Sequence, residues 1–175
     1  MPPARLIAAL ALFGDSMSIR ALIIGCLVSN GIGACVYDEA DQLAKLTELK
    51  KSIEGASLNE EAWEVTWTGT DGRKYSVSYG GCDHLGHRIT VTETNGTLST
   101  KPELFEIWQE LADAYWWSGE DVVLKRALEA GQFTSESSAS GVRYDVTGTD
   151  YAEMYLESRQ EGKAVVVTVG WVRTF

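Results

Sequence analysis

The run WEVTWTGTDGRKYSVSY, residues 63–79, alternates large apolar and polar residues on both sides of a tight turn. Trp63, Val65 and Trp67 alternate with Glu64, Thr66 and Thr68, and after Thr70-Asp71-Gly72 the pattern resumes at Tyr75, Val77 and Tyr79. Neighbouring side chains on a strand point to opposite faces, so this hairpin has an aromatic-rich face that must be covered and a polar face that need not be. The rest of the chain therefore has to supply a cover and further strands.

A cover is visible on either side. Residues 38–53 carry Leu43, Leu46, Leu49 and Ile53 at helical spacing, with Asp38, Glu39 and Asp41 at the start, Lys50 and Lys51 late, and Gly55 as the stop. Thr100 and Glu103 form a capping-box pattern ahead of Leu104, Ile107, Trp108, Leu111 and Tyr115, one apolar helical stripe. Ser118 with Asp121 predicts a further helix ending at Gly131. Strands are expected at HRITVTET (87–94), VRYDVTGT (142–149), YAEMYLES (151–158) and the near-continuous apolar run AVVVTVGWV (164–172), whereas TSESSASG (134–141) has the composition of a polar loop. The expected order is helix, three-stranded meander, two helices, three-stranded meander, an α+β fold with antiparallel sheet. TGTD occurs twice, at 68–71 and 147–150, each time after an aromatic-bearing strand. Turn chemistry alone can produce such a tetrad, and an internal duplication can too. In element order the chain resembles small inhibitory and envelope-assembly proteins built from helix pairs followed by antiparallel meanders, such as the β-lactamase inhibitory protein, which raises protein binding as a function.

The first 34 residues stand apart, being apolar and nearly free of acids. MSIRALIIGCLVSNGIGAC, residues 17–35, has a short positive start at Met17 and Arg20, an apolar stretch from Ala21 to Val28, and Ile32-Gly33-Ala34 before Cys35. This resembles a bacterial lipoprotein signal. The resemblance implies synthesis from Met17, cleavage before Cys35, acylation of Cys35, and a lipid anchor on the periplasmic side of the envelope, with Val36 favouring outer-membrane sorting. Residues 35–175 then form the single α+β domain. Ordinary signal cleavage would instead leave Cys35 free to form a disulfide with Cys82.

The chain carries 15 basic and 25 acidic residues, net −10, and loss of residues 1–34 removes two bases and one acid, leaving 13 against 24 and a net −11. Such a charge repels nucleic acid and favours a basic protein as partner. The segment YGGCDHLGHR, residues 79–88, brings together Cys82, His84 and His87. Cys-x-His-x-x-His offers three zinc ligands if a glycine-framed turn lets them converge, but no other histidine exists to complete a site. A cysteine nucleophile lacks a distant base. Glu103, Glu106 and Glu110 have the spacing of a solvated helix face. No catalytic group or cofactor is expected, Cys82 is expected to be structural, and His84 and His87 remain candidate partner contacts. Tyr115, Trp116 and Trp117 stand in series at a helix end, about 100° apart per residue, so they cannot all face one core, and one of the two tryptophans is a candidate interface anchor. The expected function is non-enzymatic binding of another envelope protein, as an inhibitor or immunity factor against a basic cell-wall-degrading enzyme. The alternatives are a structural or assembly lipoprotein of an outer-membrane complex, or a metal-dependent enzyme using Cys82, His84 and His87.

Overall fold

The computed structural model describes residues 38–81, 84–117 and 119–174. The leader with its Met17 start, the lipobox Ile32–Cys35, and Cys82 and Ser118 lie outside the described residues.

Helix α1 spans Glu39–Ser52 and is capped by the Asp38 carboxylate, which accepts from the Ala40 amide at 2.9 Å. Four strands follow, β1 Ser57–Asn59, β2 Glu64–Thr68, β3 Lys74–Gly80 and β4 His84–Thr94. Helix α2 spans Lys101–Tyr115 and α3 Glu120–Glu129, and β5 Phe133–Ser138, β6 Gly141–Val146, β7 Glu153–Glu161 and β8 Ala164–Thr174 complete the chain. The Thr100 amide donates to Glu103 Oε2 at 2.7 Å, so the expected capping pattern starts α2. For α3 the start differs, since the residue before it is Gly119 at φ +84° rather than a hydroxyl-bearing cap.

All eight strands form one antiparallel sheet in the order β1-β2-β3-β4-β8-β7-β6-β5. The α+β class and antiparallel pairing stand, but each meander has four strands where the sequence predicts three. Both additions are polar. β1 is only three residues, Ser-Leu-Asn, and β5 runs through the expected loop 134–141. β5 is the last strand of the sheet and exposed along nearly its whole length, so no buried face imprints an alternation on it. Its turn into β6 is held by Ser138 Oγ, which accepts from the Ser140 amide.

The register assigns faces. Val65↔Val77, Val77↔Ile89, Ile89↔Val169, Val169↔Leu156 and Leu156↔Tyr144 are opposed pairs, so these side chains share one face across six of the eight strands, from β2 to β6. That face is covered by Leu46 of α1, Leu104, Trp108, Leu111 and Ala112 of α2 and Leu124 of α3, forming one apolar core. The opposite face carries Thr66, Ser76, Ser78, Arg88, Thr90, Thr168, Glu157 and Arg143, and no described helix has its apolar stripe there. A sheet with one covered and one open face explains the clean alternation in the sequence.

Candidate functional site

His84 and His87 both lie on β4, three positions apart, and hence on opposite faces. The glycine-framed turn is therefore shorter than the sequence suggests, since pairing runs through Tyr79↔His87 and Gly80↔Gly86. His84 is exposed. His87 is 2 % exposed, stacked on the Trp117 indole at 4.5 Å and met edge-on by Tyr79 and Trp171. Burial, with a smaller contribution from the Lys45 charge, pushes its pKa down to about 3, and neither ring nitrogen has a hydrogen-bond partner among the described residues. A partner would have to displace this packing to reach it. Among the described residues no three His, Cys, Asp or Glu side chains are placed to share a metal ion.

The aromatic series does not divide as helical spacing predicts, because α2 ends at Tyr115 and Trp116 is already extended at φ −86°, ψ 136°. Trp116 is 6 % exposed and belongs to the core. Tyr115 packs on Trp67 at 5.5 Å, and Trp117 is half-buried between His87 and Tyr79. All three serve the covered side of the sheet.

Sequence reasoning missed a cavity of about 470 Å³ at the end of the open face. Gly86, opposed to Gly80 across β3 and β4, leaves the lining open there, and Ser78, Arg88, Tyr155, Val172, Glu39, Glu61 and Trp63 surround it. Trp63 adopts φ +50°, a left-handed conformation uncommon for a bulky residue. Its ring lies where a Cβ on Gly80 would be, so glycine at 80 is required for the ring to reach this position. Buried Gln42 of α1 sits beside the same spot, with neither amide atom hydrogen-bonded among the described residues. On the far wall the Tyr155 ring lies against Gly170 and beneath the Arg143 guanidinium, 4.3 Å from the ring centre. The sequence signal was present as Gly80, Gly81 and Gly86, but glycines that open a cavity and glycines that only turn the chain look alike in one dimension.

A second hollow, about 370 Å³, lies on the same face between β1 and β4, bordered by Ser57, Thr66, Thr68, Lys74, Ser76, Thr90 and Thr92. These features define an α+β protein whose eight-stranded antiparallel sheet is covered on one side and presents a hollowed polar surface on the other. No family model matches the chain, and no curated protein and no solved structure matches it.

Proposed function

We propose that this chain is a non-enzymatic lipoprotein of the bacterial envelope, anchored through Cys35, that binds a basic protein through the open face of its sheet, as an inhibitor or immunity factor against a cell-wall-degrading enzyme. The observation that carries this reading is a broad sheet face, hollowed and polar, on a chain of net −10. A long-range acidic field speeds encounter with a cationic protein, and hollows on a rigid sheet give its protruding groups somewhere to seat. The leader resemblance supports the address. With Trp116 in the core and Trp117 half-buried against His87 and Tyr79, this reading takes the open face rather than the α2 end as the docking surface.

The two halves each run from helix into a four-stranded meander, TGTD follows β2 in one and β6 in the other, and the two closing strands pair with each other. We propose that they derive from duplication of one unit. The turns have since diverged, because Gly148 has φ +74° and Gly69 does not adopt positive φ.

The test is affinity capture with the C-terminally tagged full chain after detergent extraction of the envelope, with intact-mass analysis of the bait. The expected result is an acylated chain beginning at Cys35 that retains a basic hydrolase and suppresses its activity at equimolar ratio. Retention of outer-membrane assembly proteins instead would support the assembly alternative. An unmodified soluble chain beginning at Gly33, Ala34 or Cys35 would contradict the anchor.

A further inference from the structure

We infer that the Trp63 cavity is a receptor for one cationic side chain, lysine or arginine, carried on a protruding segment of the basic partner; this rests on the protein-binding reading above. Three independent features converge on it. The first is shape, since the Gly80–Gly86 pair and the Trp63 ring make a recess of about 470 Å³, room for a side chain with its flanking backbone.

The second is an aromatic wall held at a conformational cost. A non-glycine residue at positive φ costs of the order of 1 kcal/mol or more and persists where its surroundings dictate it. Trp63 keeps that conformation at φ +50° with its carbonyl accepting from the Tyr79 amide at 3.3 Å, and the result is an indole in the cavity lining. An indole face is the best of the side-chain surfaces for holding a cation.

The third is charge. Glu61, an exposed carboxylate, lines the cavity together with Arg88, in a chain of net −10. Arg88 projects from the strand next to Gly170 and is positioned to donate to backbone carbonyls of the segment that carries the cation. Buried Gln42 lies beside Gly80, behind the Trp63 ring, with neither amide atom hydrogen-bonded among the described residues. An anionic guest would face Glu61 and the acidic field of the chain, and an uncharged one would gain nothing from that field.

The experiment is a titration of the isotopically labelled full chain, in mild detergent, with acetyl-Gly-Arg-Gly-amide, its lysine counterpart and the citrulline analogue, which keeps arginine's shape without its charge. The expected result is saturable shifts of the Trp63 indole N–H and the Gly80 and Gly86 amides with the arginine and lysine peptides, weakened by salt. Citrulline should bind at least about fivefold more weakly. Trp63→Ala and Glu61→Gln should each weaken arginine binding about threefold, and the exposed Glu61 change keeps the test intact if the tryptophan variant misfolds. Absence of saturable shifts at these three groups, or equal binding of citrulline, overturns the cation receptor. A captured basic protein that binds Trp63→Ala and Glu61→Gln as tightly as wild type overturns it too while leaving protein binding by the open face standing; failure to bind any basic envelope protein overturns the broader reading.

Discussion

The two halves of the sheet meet along β4 and β8 and share one core, yet their open faces are built differently. Beyond β8, charge is settled internally. Arg143 pairs with Asp145 at 2.7 Å and with Glu153 at 3.4 Å, and Arg159 with Glu157 and Glu161 at 3.4 and 3.2 Å. Its guanidinium held among carboxylates, Arg143 stays protonated far above any working pH. On the β1–β4 side the same face is a ladder of hydroxyls, Thr66, Ser76, Ser78, Thr90 and Thr92, with one hollow of its own and, at the end that carries the Trp63 indole, a second whose far wall is Tyr155 and Val172 of β7 and β8. Covered faces are alike because both must exclude water; open faces are free to differ. The half whose polar groups are mutually satisfied has little to offer a partner, and the half with hydroxyls and recesses has more.

The comparison breaks first if the halves do not fold together. Ile89 and Leu156 are both fully buried, on β4 and β7. Ile89→Ala and Leu156→Ala should each cost about 2–5 kcal/mol. Urea unfolding followed by tryptophan fluorescence and by far-ultraviolet circular dichroism should give coincident single transitions in both variants. Separate transitions would mean two independent units.

The next effect belongs to the first half alone. Because His87 is held neutral down to about pH 3, the unfolded chain binds more protons between its ordinary pKa of 6.5 and that value. Stability should therefore fall as pH falls through this window, by at most about 1.4 kcal/mol per pH unit from this residue. His87→Phe should flatten that slope in melts taken from pH 7 to 4. Trp117→Ala, which removes the stacked ring, should move the imidazole resonances of His87 to titrate at higher pH.

The smallest effect lies in the second half. Replacing Arg143 by methionine should cost no more than about 1 kcal/mol, measured by chemical denaturation, because the side chains of its two ion pairs are a third or more exposed. Added salt should shrink even that. A loss of several kcal/mol would mean that the Arg143–Tyr155 stack, and not the ion pairs, anchors this half.

How much of this was legible beforehand follows from what leaves a periodic trace. The β2–β3 hairpin and the α2 stripe were plain because Trp67, Val77, Leu104 and Trp108 are buried on one side of an element and polar residues flank them. β5 was not, since Thr134 to Ser138 is exposed and receives its strand conformation from β6 rather than from its own pattern. β1 was too short to show a period. The aromatic series at 115–117 was expected to split between environments, but the helix ends at Tyr115 and all three rings pack on the covered side. His87 read as a surface contact because histidine seldom fills a core, and only its opposition to Trp171 across the β4–β8 seam reveals the aromatic nest. The cavity at Trp63 depends on a left-handed backbone and on Gly80, seventeen positions further along the chain and brought beside it by the fold, which no local pattern encodes.

The central claim is that a basic protein docks on the β1–β4 side of the open face. Its most direct test is association kinetics between the full chain and the basic protein it captures, at low and high salt, for wild type, Ser78→Arg and Glu136→Lys. Ser78 lines the Trp63 cavity, whereas Glu136 lies on β5 at the opposite edge. The account predicts that salt slows association far more than it changes dissociation, that Ser78→Arg weakens binding by about tenfold or more, and that Glu136→Lys stays within about twofold. Salt-independent association, or equal loss in the two variants, would contradict it.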